Sequence, residues 1–370
     1  MATLPLEQIR VLDLTRLLPG PYCSQFLADF GAEVIKIEEP NIGDYARWTK
    51  PQVNGFSALF ASLNRNKKSV TLNLKSDGDR ERFKELAKTA DVLIESFRPG
   101  VTSRLGLGYA TLKKLNPKLV YCAITGYGQT GPYKDKPGHD LNYLSYAGLL
   151  HFNAEENGKP QVPAAQIADL GAGALMAATG ILMALMGRNA TGKGQFVDIS
   201  MLDGVVSWMQ TILPDYLAGE SVEKGKLPLS GGRACYAVYE TADKRYLSVG
   251  AIEPKFWRAF CEGIERPELI PMLDAPHEKQ KELRETIQTV IGQKTLEQWM
   301  DIFERVDACV APVLTLDEMI NHPQVKERNM VVSFQEQLQI ANPIKLSDTP
   351  AQIYAKAPKL GEHNRDILGR

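Results

Sequence analysis

Residues 10–38 read RVLDLTRLLPGPYCSQFLADFGAEVIKIE, and they decide the fold. Val11-Leu-Asp-Leu14 is a short buried-strand pattern. Residues 21–30 read as a helix, and Glu33-Val-Ile-Lys-Ile37 is a second strand. Strand, helix and strand in succession make a crossover unit whose two strands run parallel. The alternation continues. Residues 69–74 set Val70, Leu72 and Leu74 on one face of a strand. Residues 79–90 form a helix with its charges on one side, and residues 91–95 and 119–125 are further strands. The fold class is therefore α/β, with a large doubly wound (Rossmann-like) domain. Ligands of such a sheet bind beyond the carboxyl ends of its strands. The segments there, residues 15–21, 38–40, 96–100 and 126–132, are rich in Gly, Pro or polar groups.

Farther on, a long apolar helix begins at Asp169 and runs to about residue 188. A strand at 195–199 and a helix at 201–217 follow. Residues 219–232 are rich in Gly, Lys and Glu and read as a linker. Strands at 236–240 and 246–249, with helices at 255–264 and 279–291, complete a smaller α+β unit. The expected division is a large domain from residues 1–200 and 318–370, a linker at 201–233, a small domain at 234–305 and a return linker at 306–317. Residues 170–187 carry no charge and come close to membrane-spanning length, but their many Gly and Ala residues make a buried helix of a soluble protein the expectation.

The chain has 370 residues, enough for a large core and two domains. Forty-three basic and 44 acidic side chains leave a formal net charge of −1, which argues against a general nucleic-acid binder. Five scattered cysteines form no Cys-x-x-Cys, so no metal is expected and the thiols read as reduced, buried residues. No Gly-x-Gly-x-x-Gly follows the first strand and no P-loop is present, so a dinucleotide cofactor is not supported. Residues 1–10 are too polar for a signal peptide, and the Leu-Gly-Arg terminus is not a peroxisomal address, so a cytoplasmic location is expected.

Two side chains stand out. His139 follows the turn Gly126-Tyr-Gly-Gln-Thr-Gly-Pro132, and Asp169 opens the apolar helix. Asp169 reads either as a helix cap or as a group beside a helix end that holds an anion or an oxyanion, with Gly171 and Gly173 admitting a ligand close to the backbone. His139 reads either as a structural loop residue or as a base. Two bases on opposite faces of one carbon can take a proton from one side and return it on the other. Glu253, just before Pro254, is a helix-start carboxylate or an orienting partner for the histidine. Lys67, Lys68, Lys75, Arg98 and Arg104 read as solvated surface, with Arg98, after a strand end, and Arg104, one turn later, alternatively as phosphate contacts. Met176, Met183, Met186 and Met201 read as core packing or as an adaptable apolar wall.

Together these residues resemble the family III CoA-transferases and their relatives, the α-methylacyl-CoA racemases. The resemblance is carried by Arg10-Val-Leu-Asp-Leu14, Pro19-Gly-Pro21, residues 31–38, residues 64–75, Arg98-Pro-Gly100, residues 126–132, residues 192–195 with Asp203-Gly204, and residues 360–363. It spans essentially the whole chain. It implies an acyl-CoA substrate, no separate cofactor, and a homodimer whose subunits interlink. It further implies CoA contacts from Lys36, Leu72, Lys75, Phe97, Arg98, Arg104, Tyr127 and Gly128. In the racemase branch the resemblance makes Asp169 and His139 paired bases supported by Glu253. In the transferase branch Asp169 is a nucleophile, and a tyrosine stands where this chain has His139. The racemase form is the expectation, with CoA transfer between carboxylic acids as the alternative. Glu39 departs from the family, which usually carries Arg there.

Overall fold

The computed structural model describes residues 4–53 and 55–369. Six strands form the principal sheet: β1 (Arg10–Asp13), β2 (Glu33–Glu38), β3 (Lys67–Thr71), β4 (Val92–Glu95), β5 (Val120–Thr125) and β6 (Phe196–Ser200). Their spatial order is β3-β2-β1-β4-β5-β6, and every neighbouring pair is parallel. A parallel sheet covered on both faces needs strands that are apolar throughout. β5 meets this demand, with all six residues buried. The chain moves outward from β1 to β3 and then returns to add β4 on the other side of β1. The strand order thus reverses between β1 and β4, where connections diverge and leave a crevice.

Contact clustering divides the chain into two compact units. The first comprises the chain up to Ala147, Pro163–Trp208 and the chain from Glu327 onward; the second comprises Gly148–Val162 and Met209–Lys326. The second unit holds an antiparallel sheet of Tyr236–Glu240, Tyr246–Gly250 and Val310–Pro312. Its core is built on Trp257, Phe260, Trp299 and Phe303.

Several local expectations change. Residues 148–162, read as part of the large domain, belong to the second unit. Lys224 Nζ donates to Gly158 O at 3.0 Å, and the His277 ring lies 3.4 Å from the Glu156 carboxylate. The helix expected at 201–217 is interrupted: Met201–Ser207 is α-helical, Trp208–Thr211 is a 3-10 turn, and a new helix starts at Leu213 with Pro214 in its first turn. The linker expected at 201–233 therefore begins in the first unit, which extends to Trp208. β3 starts at Lys67, two residues early. Lys67 is 3% exposed, with Nζ bonded to Pro21 O and Asn64 Oδ1, both at 2.9 Å, so it is not solvated surface.

The apolar helix is one continuous run, Ala168–Thr191, long and apolar enough by composition to cross a membrane. Its first two turns, Ala168–Leu175, are π-helical, and Met176–Thr191 is α-helical. Ala172, Ala174, Ala177, Ile181 and Ala184 form its buried face. Met183 and Met186 lie on the open side, 66% and 73% exposed.

Candidate active site

The reversal between β1 and β4 carries a cleft of about 620 Å³. Leu14, Arg16 and Leu17 enter it from the β1 loop, Phe97 and Arg98 from the β4 loop, and Tyr127 from the end of β5. His139, Asn142, Tyr143 and Asp169 close the far side. A second recess of about 250 Å³ shares Leu14, Arg16 and Phe97 with this cleft. It runs across the ends of β2 and β3, past Glu39, Leu72, Lys75 and Arg104.

His139 is the N-cap of the helix Asp140–Tyr146, with φ −129° and ψ 174°. Its backbone N–H donates to Asn142 Oδ1 at 3.0 Å, and Asn142 N–H donates to His139 O at 2.8 Å. Both bonds fix the backbone. The ring is exposed and makes no hydrogen bond among the described residues. Tyr143 steadies the preceding residue by donating its hydroxyl to Gly138 O at 2.5 Å.

Asp169 lies in the first π-helical turn, where Ile167 is the cap position and no side chain caps the helix. The capping account of Asp169 is therefore corrected: its carboxylate is not spent on the backbone. Instead its own N–H donates to Asp140 Oδ1 at 2.9 Å. Asp140 thus ties the element bearing one base to the residue after the other. Burial pushes the Asp169 carboxyl up to about 6, the charge of Asp140 adds to the rise, and a protonated His139 opposes it. The two side chains line one cleft, and Asp169 feels the charge of His139. Gly171 and Gly173 serve packing rather than ligand approach. A Cβ at Gly171 would meet the Trp208 ring, and one at Gly173 would lie 3.0 Å from Met201.

Of the residues expected to hold CoA, Leu72, Lys75, Phe97 and Arg104 line the recess, while Phe97, Arg98 and Tyr127 line the main cleft. Two others are placed elsewhere. Lys36 is fully buried, its ammonium 2.9 Å from Asp44 Oδ2 and 2.8 Å from Thr15 O. It cannot reach a ligand; with Asp44, which accepts the Leu17 N–H at 2.9 Å, it braces the β1 loop. In the same cluster burial alone would raise Asp13, but Lys36 and Lys67 hold it down at about 2. Gly128 is a buried left-handed turn residue (φ +80°) whose Cβ would face Ser200 at 3.4 Å, and it lies outside both cavities. Glu253 belongs to the second unit, exposed at the N-cap of the helix Pro254–Gly263, with no side-chain cap bond. Of the four methionines only Met201 reaches the cleft.

Sequence reasoning missed Arg16, Lys134, Lys136, Asn142 and Tyr143 as cleft residues. Arg16 had a usable signal, since it directly follows the first strand. It donates to Tyr45 Oη at 2.9 Å and lies 3.4 Å from the Glu39 carboxylate. Glu39, where the family usually has Arg, therefore brings a negative charge to the recess.

The arrangement, a doubly wound sheet with two bases at its reversal point and a cation-edged recess beside them, suits an enzyme acting on a large anionic ligand. The sequence profile of CoA-transferase family III matches residues 6–364. The chain belongs to CoA-transferase family III. It is 36% identical over 372 residues to α-methylacyl-CoA racemase of Homo sapiens, covering 98% of this chain and 92% of that protein. It is 34% identical over 377 residues to succinyl-CoA:glutarate CoA-transferase of Mus musculus, covering 98% and 86%. Among solved structures, a CAIB/BAIF family protein from Brucella suis superposes with a TM-score of 0.88 at 29% identity, over 100% and 99% of the two chains. The family is thus shown, and its relatives at similar identity carry out two different reactions.

Proposed function

We propose that this chain racemises 2-methylacyl-CoA thioesters by moving the α-proton from one face to the other through an enolate. The observation that carries this reading is an exposed, unbonded imidazole sharing a cleft with a carboxyl raised to about 6. His139 removes the proton from one enantiomer while protonated Asp169 delivers one to the opposite face; for the other enantiomer the roles reverse. One shared proton serves both directions, and a carboxyl near 6 allows both of its forms close to neutrality. The thioester end occupies the main cleft. The nucleotide arm follows the recess toward Lys75 and Arg104, which offer charge-assisted bonds to phosphate. The reaction needs neither metal nor redox cofactor. Support of His139 by Glu253 and an interlinked homodimer belong to the same proposal, and the exposed Met183 and Met186 are apolar surface that a second copy would cover.

Incubation of a 2-methylacyl-CoA with the protein in heavy water tests the reading. Deuterium is expected at the α-carbon, and with His139→Ala none is expected from the enantiomer whose proton His139 removes. An absence of exchange across a series of branched acyl-CoAs overturns it. A second reading is supported by the transferase relatives. In it Asp169 attacks the thioester carbonyl, releases CoA as thiolate and forms an acyl anhydride. That intermediate would be trapped by hydroxylamine at Asp169, with CoA transfer to an added carboxylate.

A further inference from the structure

The turn that brings Phe97 and Arg98 to the cleft hangs from a buried carboxylate that the proton transfer does not use. Glu95 ends β4 and is 4% exposed. Its Oε2 accepts the Phe97 N–H at 2.7 Å. Its Oε1 lies 3.4 Å from the Tyr121 hydroxyl, which lies 3.0 Å from Thr102 Oγ1. The Tyr121 O–H faces both oxygens and donates to either. Thr102 is buried in the short helix Val101–Arg104, so the chain of bonds ends two residues from Arg104. Glu95 thus holds two segments, one with Phe97 and Arg98 and one with Arg104, and all three residues line the cleft or its recess.

The ionisable groups facing Glu95 are Tyr121 and Cys122 of β5, both held neutral by burial. The nearest buried charge on β1 is Asp13, which is committed to Lys36 and Lys67. No cation among the described residues answers it, and burial pushes the Glu95 carboxyl up to about 7.

We propose that Glu95 is a positioning residue of the cleft, its carboxylate fixing the Phe97–Arg98 turn and, through Tyr121 and Thr102, the helix that presents Arg104. The ionised form accepts stronger bonds than the neutral acid. The grip on an anionic ligand therefore weakens as pH falls. The ligand named here is the CoA thioester, so this part rests on the function proposed above.

The full-length protein is titrated with a 2-methylacyl-CoA from pH 5.5 to 8.5. The wild-type Kd is expected to rise about five-fold toward the acid end, with its midpoint near 7. Glu95→Gln is expected to lose the step centred near 7 and to bind with the acid-end Kd. A flat wild-type curve, or a variant that keeps the wild-type pH dependence, overturns the proposal. Hydrogen exchange of the free protein needs no ligand: residues 96–104 are expected to exchange faster in Glu95→Gln at pH 8, and equal rates overturn the proposal. Faster exchange in a protein that binds no acyl-CoA would uphold the bracing role of Glu95 and sink the CoA reading alone.

Discussion

Ionised Asp169 is destabilising. Its carboxyl is raised by burial and by Asp140 from 3.8 to about 6. Between those values the folded chain binds more protons than the unfolded chain, so stability falls as pH rises through the window and stays reduced above it. The deficit at pH 7.5 is at most about 3 kcal/mol, taking 1.36 kcal/mol per unit. Asp169→Asn is therefore expected to melt a few degrees higher than wild type at pH 7.5 and to lose that advantage at pH 4, while α-proton exchange drops at least ~100-fold. Calorimetry at the two pH values checks this, and equal melting temperatures at pH 7.5 would contradict it. Lys36 shows the opposite balance. Lys36→Met leaves Asp44 buried without its cation and Asp13 with Lys67 alone, and is expected to cost roughly 3–5 kcal/mol in urea unfolding. Lys75→Ala, at the exposed rim of the recess, is expected to cost under about 0.5 kcal/mol and to raise KM for the thioester instead.

Among elements, the π-helical start of the apolar helix explains a tight set of small residues. A Cβ at Gly171 enters the Trp208 ring, while one at Gly187, on the same run, meets only Gln195 Nε2 at 3.7 Å. Gly171→Ala is expected to cost roughly 1–3 kcal/mol and to lower exchange by displacing the turn that holds Asp169. Gly187→Ala is expected to be neutral or to gain up to ~1 kcal/mol. Chemical denaturation of the two variants decides the point. The same contrast shows what the sequence made legible. β1, β2, β4 and β5 were readable from short runs dominated by apolar residues, β3 from the alternation of Val70, Leu72 and Leu74, and the cleft loops because Gly and Pro mark strand ends. The π-helical turn was not, since its residues suit an α-helix equally well and the choice is made by packing on Trp208, 37 positions downstream of Gly171. Nor was the buried state of Lys36. Its compensating acids stand 8 and 23 positions away, and only the folded sheet puts them in contact. Asp140 was visible beside His139, but its bond to the Asp169 N–H spans 29 residues and had no local signature.

At the scale of the whole molecule, the first unit is finished by residues from the end of the chain. Asp29, 2% exposed, accepts from Arg65 Nη2 at 2.8 Å and from Asn66 Nδ2 at 3.0 Å. Asn66 Nδ2 in turn donates to Gln352 O at 2.7 Å, and Asn342 Nδ2 reaches Asp29 Oδ2 at 3.3 Å. Asp29→Ala strands the buried Arg65 and is expected to cost roughly 3–5 kcal/mol. Because the second unit has its own core, calorimetry is expected to show a lowered transition for the first unit and an unshifted one for the second. A single transition shifted as a whole would contradict that independence. This closure also orders events on the ribosome. The strands of the main sheet lie within the first 200 residues, yet Asn342 and Gln352 emerge only after every residue of the second unit. The second unit, complete by Lys326, has all its material available sooner. The unit that holds His139 and Asp169 thus begins to emerge before the second unit and is sealed after it, so its apolar sheet depends on protection from aggregation until residues 342–352 arrive.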